Sequence, residues 1–146
     1  MGLGAAGTNL KSEVDAIWEC RTAGTLLYPY LASGVAVASA NADWVFGPYA
    51  VVVPANAITN RYHVLGICLC ACDQDACFML ELYQGDDDAL VGTVAFAVKG
   101  GFWGNAVYPL YACIVPANER LRARLASSNG SGAVATARVY VMYHLH

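Results

Sequence analysis

The sequence predicts an all-β fold, a jelly-roll or Greek-key β-sandwich with a short N-terminal helical or extended segment. From residue 25 onward, short apolar stretches alternate with turns rich in Gly, Asn, Asp and Ser, a spacing typical of sandwiches and barrels. The turns separate about eight to ten strands, as in a double-sheet jelly roll. We therefore divide the 146-residue chain into an N-terminal segment, residues 1–24, and one β-sandwich domain, residues 25–146.

The N-terminal segment contains the one helix that the sequence predicts, over residues 8–21. Its apolar residues recur at helical spacing and Gly24 follows the pattern. A helix of this length is marginal in water by itself, so we expect it to pack on its own domain or against copies of itself. The apolar residues are Leu10, Val14, Ile17 and Trp18.

The strands of the β-sandwich domain follow in order along the chain. Turn-forming residues, mainly Gly, Pro, Asn, Asp and Ser, end each of them. The predicted strands cover residues 35–40, 44–53 with a break at Gly47-Pro48, 62–72, 77–83, 90–98, 108–115, 121–126 and 134–145.

A repeated sequence marks two turns of this domain. Residues 49–56 and 111–118 both end in Val-Pro-Ala-Asn, and the two copies lie 62 positions apart. In each copy a strand ends at a proline, which cannot donate a hydrogen bond to a neighbouring strand. Two such corners, half a domain apart, favour a double Greek key.

The two corners make specific predictions about their side chains. We expect Asn56 and Asn118 to hydrogen-bond the backbone that begins the next strand. The residues that lead those strands, Ile58 and Leu121, are predicted to face the core. Three residues further along each strand, Arg61 and Arg124 are predicted to point the opposite way.

Charge is scarce in this sequence. Hydrophobic residues make up 58% of the chain and charged residues 13%, about half of the usual ~25%. A small domain with so few charges is expected to cover part of its surface with partners, which predicts a homo-oligomer. A net charge of −3 argues against nucleic-acid binding, and no stretch approaches the ~18 apolar residues of a membrane span.

Six cysteines occur, and we expect them to be reduced and structural. The N-terminus lacks the basic start of a secretory signal, so disulfides are disfavoured and the chain is expected to stay in the compartment where it is made. Strand alternation predicts Cys68, Cys70 and Cys72 on one face. A zinc site remains an alternative because Cys72 and Cys77 have ligand-pair spacing. The others are Cys20 and Cys113.

No catalytic or cofactor-binding set is recognisable. The chain has three histidines, but no nucleophile motif, phosphate-binding loop or dinucleotide fingerprint accompanies them. The sequence thus predicts no enzyme, no cofactor and no metal. The acidic turn of Asp86, Asp87 and Asp88 allows a Ca²⁺ site, although a solvated hairpin tip is the preferred interpretation.

Two groups of residues are candidates for binding a partner. Arg120, Arg122 and Arg124 alternate and line up on one face of a strand, where they form salt bridges within the fold or to an acidic neighbouring subunit. A nucleic-acid stripe is the weaker alternative. The second group is made of aromatic residues on loops. Such residues can anchor a protein partner or stack on a sugar, and the alternative is that they close the end of the sandwich. These are Trp44, with Phe46 and Tyr49 near it, and Phe102, Trp103 and Tyr108.

From Tyr49 onward the chain resembles small jelly-roll proteins of bacteriophage virions, such as capsid decoration or cement proteins, head fibres and tail appendages. The resemblance lies in both Val-Pro-Ala-Asn segments and in residues 79–85, 90–96 and 119–128. It implies a homotrimer with a short N-terminal segment, of which residues 14–17 look typical, bound to capsid or tail proteins. It further implies a location in the virion, assembled in the host cytoplasm. The cysteine content departs from the family.

The sequence is compatible with three functions. A virion structural protein is the preferred hypothesis, and a module that binds a surface carbohydrate or a receptor is the alternative. A cupin-like metalloenzyme shares the fold, but it needs inward-facing histidines grouped with a carboxylate, and the sequence lacks that grouping. Fold alone does not decide among them.

Overall fold

The computed structural model describes residues 24–100, 106–110, 112, 114–129 and 133–146. These residues form strands and turns, with no helix among them that is long and apolar enough to span a membrane. The predicted N-terminal helix lies outside the described residues. The strands are β1 (Leu26–Tyr28), β2 (Val35–Ala38), β3 (Ala50–Val53), β4 (Tyr62–Cys72), β5 (Ala76–Gln84), β6 (Ala89–Val98), β7 (Ala106–Pro109), β8 (Ile114–Val115), β9 (Leu121–Ser127) and β10 (Thr136–Leu145).

The strands form two sheets in which all pairs are antiparallel. Sheet A has the order β1-β10-β4-β7, with β2 also paired to β10 and β8 also paired to β4. Sheet B has the order β3-β9-β5-β6. Sequence neighbours β4 and β5 lie in different sheets, so the chain crosses between the two sheets instead of forming a meander.

This connectivity confirms the predicted all-β sandwich. β1 and β2 share one edge position of sheet A, and β7 and β8 share the opposite one. Counted in this way, the described residues supply eight strand positions, four in each sheet, and apart from the β5–β6 hairpin the strands next to each other in a sheet are not consecutive in the sequence. Such an arrangement is a double-sheet jelly roll, which is built from two Greek keys.

The core lies between the sheets and is made of aliphatic residues from alternate positions. Val64 and Val141 of sheet A and Leu80 and Leu125 of sheet B are completely buried. Because side chains alternate along a strand, each sheet presents one apolar face to the core and the other face outward. The rings of Phe78 and Phe96, on neighbouring strands of sheet B, stack with their centroids 5.1 Å apart.

The two Val-Pro-Ala-Asn corners behave as predicted in their burial. β3 ends at Val53 and β8 at Val115, so a proline directly follows each strand. Ile58 is 4% exposed and Leu121 is fully buried. Arg61 is exposed and Arg124 is half-buried on the outer side of sheet B. The two corners therefore share one orientation relative to the core.

The predicted role of the two asparagines needs correction. The bonds at these turns come from the backbone: Asn56 donates its N–H to the carbonyl of Asn118 (3.0 Å), and Asn118 donates its own to the carbonyl of Ile58 (2.9 Å). The corners thus lie side by side and bond to each other. Both asparagines have left-handed backbones, with φ of 65° and 67°, a conformation that Asn tolerates better than most residues.

The prediction that three alternating cysteines share a face is wrong for Cys72. Along β4, Leu69 pairs with Val139 and Ala71 with Arg138, so Cys70 is the extra residue of a bulge. The bulge reverses the alternation. Cys68 borders a cavity on the outer side of sheet A, whereas Cys72 packs against the core.

Candidate functional site

The outer face of sheet B carries a row of ion pairs. Because Leu121, Ala123 and Leu125 of β9 are fully buried, the arginines between them point outward. Each arginine forms a salt bridge with an acidic residue of the same chain. The sequence had predicted salt bridges either within the fold or to a neighbouring subunit. The pairs are Arg120 with Asp86, Arg122 with Asp88, and Arg124 with Glu81.

The pair of Arg124 and Glu81 is joined by two hydrogen bonds and is extended by a tyrosine. Arg124 donates from Nε and from one terminal nitrogen to a carboxylate oxygen of Glu81, at 3.1 and 3.0 Å. The same guanidinium contacts the hydroxyl of Tyr83, which in turn donates to the other oxygen of Glu81 at 2.9 Å. Burial alone lowers the pKa of Arg124, but the bonds and charge of Glu81 outweigh it and raise the pKa. These contacts hold Arg124 charged and in one position.

Aromatic rings complete this cluster of arginines. The guanidinium of Arg124 lies 4.3 Å from the ring centroid of Phe46, and that of Arg122 lies 4.3 Å from the ring centroid of Tyr49. Tyr49 also meets Tyr83 edge to face, with centroids 5.4 Å apart. We call Phe46, Tyr49, Tyr83, Arg122 and Arg124 the Arg–aromatic cluster. Cation–π contacts of this kind further restrict the guanidinium groups.

The segment before β3 brings these rings to the sheet. Trp44 donates its N–H to the carbonyl of Ser127 (2.8 Å) and Gly47 donates to that of Leu125 (2.9 Å), so residues 44–47 run beside β9. Gly47 fits there because it lacks a side chain: a Cβ atom would lie 2.1 Å from the carbonyl oxygen of Ala38. Gly47-Pro48 had predicted a break in this strand. The break lies where the chain passes close to the end of β2.

The predicted aromatic candidates are not brought together. Trp44 is 51% exposed and lies beside β9. Tyr108 is half-buried on β7, where its ring lies 5.4 Å from that of Phe96 and packs against the core. Phe102 and Trp103 lie outside the described residues. Among the described candidates, Trp44 is therefore the most exposed ring, followed by Tyr49 at 39%.

Sequence reasoning missed an apolar surface on the outer side of sheet A. Leu27, Val107 and Ile114 are 40%, 53% and 37% exposed, and strand pairing places all three on the outer side. The β1–β2 loop lies over the same sheet, where Tyr140 donates its hydroxyl hydrogen to the carbonyl of Ala32 at 2.8 Å. We call Leu27, Val107, Ile114 and this loop the sheet A outer face.

An open cavity of about 720 Å³ lies between the β1–β2 loop and the sheet. The loop contributes Tyr30 and Leu31, which are 77% and 88% exposed. Cys68 and Tyr140 border the cavity on the sheet side. Burial raises the pKa of the Cys68 thiol, which disfavours a reactive thiolate. In the sequence, only the alternation of apolar residues in β4 and β10 pointed to this surface. That alternation does not determine which of the residues face outward.

All three histidines of the sequence lie near the end of the last strand: His144 is in β10, His146 directly follows it, and His63 is on the neighbouring β4. Strand pairing sets His63 against His144, with ring centroids 5.2 Å apart, and His63 donates from Nε2 to the carbonyl of Ala112 at 2.6 Å. Burial, and then the neighbouring His63 and His146, lower the pKa of His144. Because β4 and β10 are remote in sequence, this grouping was not predicted.

The described part of the chain contains no group of three or more His, Cys, Asp or Glu residues that are placed to hold a metal ion. The acidic turn pairs with arginines instead, since Asp88 binds Arg122 and Asp86 approaches Arg120. The predicted absence of a metal, a cofactor and an enzymatic activity stays a prediction. The described residues instead present an ion-paired outer face on sheet B and exposed apolar side chains on sheet A.

The sequence matches no protein-family model and no curated protein. Among solved structures, the chain is similar to parts of infectious bursal disease virus proteins. The Gx strain structure has 15% identity and a TM-score of 0.40 over 84% of this chain and 33% of that chain. The T13 viral particle has 16% identity and a TM-score of 0.37 over 84% of this chain and 31% of that chain. The Gt strain structure has 16% identity and a TM-score of 0.36 over 84% of this chain and 32% of that chain.

The chain thus spans about a third of the length of these viral chains. One of these structures is of a viral particle, and the other two are of named strains of the virus. A likeness of this size assigns no role to the present chain.

Proposed function

We propose that this protein is a structural component of a virion, bound to capsid or tail proteins and to copies of itself through the surfaces of its β-sandwich. The observation that carries the proposal is the sheet A outer face, where Leu27, Val107 and Ile114 are exposed in a chain with 13% charged residues. Exposed apolar side chains on one face of a small domain favour a partner surface over a solvated one.

The finer features of the proposal rest on the resemblance described above. They are a bacteriophage origin, a role as a capsid decoration protein or as a head or tail appendage, a homotrimer, and assembly in the host cytoplasm. The ion-paired outer face of sheet B fits a rigid module, because its arginines are held by partners within the same chain.

The proposal is tested with particles purified by density gradient from cells that carry the sequence. We expect the full-length protein to co-sediment with the particles and to be found in them by mass spectrometry. Val107→Lys puts a charge on the sheet A outer face and should reduce incorporation at least tenfold. Val51→Lys, at a residue that is 45% exposed on β3 of the other sheet, is the matched control.

Absence of the protein from every particle fraction would contradict the virion role. Equal incorporation of the two lysine variants would contradict the assignment of the contact to the sheet A outer face. Sedimentation of the purified protein gives its mass in solution, and a mass of one chain at micromolar concentration would contradict the homo-oligomer.

A carbohydrate- or receptor-binding module is a second candidate, and the exposure of Trp44 is the observation that favours it. An open indole face suits stacking on a sugar ring. The neighbouring Phe46 and Tyr49 contact arginines instead. A glycan array probed with the protein and with Trp44→Ala tests it: binding that the substitution abolishes supports this candidate, and no binding rejects it.

A further inference from the structure

The four edges of the two sheets differ in how they are protected against pairing with another strand. In sheet A, one edge is divided between β1 and β2, of 3 and 4 residues, and the other between β7 and β8, of 4 and 2 residues. In sheet B, β3 has 4 residues and Pro54 follows it. Short strands and prolines are devices by which edges avoid pairing with other chains.

β6 is the exception, because it is a long edge strand without these devices. It contains 10 residues, Ala89–Val98, and none of them is charged or a proline. It pairs with β5 on one side, and no described strand pairs with its other side. A bulge at Val91 lies near its start and leaves residues 92–98 in regular register. A regular, uncharged edge of this length is a template for strand addition.

The side chains of β6 leave room for a neighbouring strand. Its inward residues, among them Phe96, are buried in the core, whereas Thr93, Ala95 and Ala97 face outward and are exposed. These outward side chains are small, so they do not obstruct a second strand or the sheet that comes with it. A partner strand would satisfy the N–H and C=O groups along the free side.

We propose that β6 pairs antiparallel with β6 of a second copy of this chain, which joins two B sheets into one continuous sheet across a two-fold axis. Such an isologous contact uses the same segment of both copies. The sheet order becomes β3-β9-β5-β6 followed by the same strands in reverse.

Charge at the two ends of β6 favours this partner over an unrelated strand. Asp86 and Asp87 precede the strand, Lys99 follows it, and all three are exposed. Antiparallel pairing brings the end of one strand to the beginning of its mate, so Lys99 of each copy meets the acidic turn of the other. Asp87 and Lys99 are equally far from Thr93 in sequence, so a register centred near Thr93 aligns them. Opposite-charge and Thr–Thr cross-strand pairs both stabilise a sheet.

This inference goes beyond the proposed virion role and does not depend on it. A two-fold contact produces even numbers of copies: a dimer by itself, or six copies where it links two of the trimers that the resemblance implies. The mass in solution therefore separates the two ideas.

The test is sedimentation of the full-length protein and its variants across a concentration series. In the register centred near Thr93, Thr93→Lys places two like charges directly opposite each other across the two-fold axis, and we expect at least tenfold weaker two-fold association. Ala95→Lys places its charge opposite Val91 of the other copy and should weaken the association less. Lys99→Glu should weaken it several-fold, less so at high salt, and Asp87→Lys combined with Lys99→Glu should restore it. The matched control is Val51→Lys, on the opposite edge of the same sheet, which should leave association unchanged.

The substituted side chains face outward in a single chain, so we expect the substitutions to leave the fold intact. Circular dichroism of each variant checks this. Hydrogen exchange of the wild-type protein supplies a second measurement: those amides of residues 92–98 that do not already bond to β5 should become more protected as concentration rises. A protein of one or three copies at every concentration overturns the proposal. Association that responds to Val107→Lys but not to Thr93→Lys also overturns it, while leaving the virion role supported.

Discussion

The paired Val-Pro-Ala-Asn corners allow a sharp test of why asparagine occupies them. Asn56 and Asn118 have φ of 65° and 67°, and their backbones carry the bonds between the corners. A residue with a Cβ atom pays roughly 1–2 kcal/mol in this conformation, whereas Gly adopts it freely and Asn tolerates it. We therefore expect Asn118→Ala to reduce the free energy of unfolding by about 1 kcal/mol, and Asn118→Gly to change it by less than about 0.5 kcal/mol.

Urea denaturation of the two variants provides the measurement, with thermal unfolding as support. A loss of about 1 kcal/mol lowers the Tm of a domain of this size by roughly 3–5 °C. The corresponding changes at Asn56 should match, because the two turns have the same conformation. Since the corners bond to each other (Asn56 N–H to the carbonyl of Asn118, 3.0 Å), the double alanine variant should depart from additivity by more than about 0.5 kcal/mol.

The contrast between alanine and glycine identifies the cause. If the asparagine side chains carried essential hydrogen bonds, both replacements would remove them and both would cost a similar amount. Equal losses for Asn118→Ala and Asn118→Gly would therefore refute the conformational explanation. Losses at one corner only would refute the equivalence of the two corners.

Three further predictions follow from contacts elsewhere in the fold. Glu81→Gln removes the charge from the ion pair with Arg124, at a carboxylate whose side chain is 15% exposed, and should cost about 1–2 kcal/mol in urea denaturation. Asp86→Asn, at a carboxylate whose side chain is 98% exposed, should have no measurable effect. Gly47→Ala should cost about 2–3 kcal/mol, because its Cβ would lie 2.1 Å from the carbonyl oxygen of Ala38; an unchanged denaturation midpoint would contradict that crossing. The lowered pKa of His144 means that the unfolded chain binds its proton more readily, so stability should be full above about pH 6.5 and fall as the pH drops below it toward the lowered pKa. His144→Phe should remove that pH dependence, and a wild-type stability that is flat between pH 7.5 and 5 would contradict it.

Local patterns in the sequence were sufficient for the all-β fold and for several burial directions. Strand alternation correctly placed Leu121 in the core and Arg124 on the outer side. Ile58 is also buried, but it lies in the turn before β4 and does not lead a strand. Proline after Val53 and Val115 correctly marked the ends of two strands. These features depend on residues that are close in sequence and on the alternation of side chains along a strand, so they are readable without a structure.

Other features depended on contacts between distant segments. The alternation of three arginines was visible, but their partners Asp88 and Glu81 were not, because β9 and β5 are distant in sequence and become neighbours only in sheet B. The bulge at Cys70 in β4 reversed a face that alternation had predicted. Neither feature has a local signal, since bulges and cross-strand partners arise from the match between two strands.

By itself, the sequence determined an all-β sandwich with few charges and two equivalent corners. Only the tertiary structure decided that those corners bond to each other, that His63 lies against His144, and that Trp44 is open while Tyr108 packs on the core. It also decided which strand stands at an edge, leaving the uncharged β6 with one unpaired side among the described strands. The physical reason is that side-chain alternation is local, whereas register, strand order and edge position follow from non-local pairing.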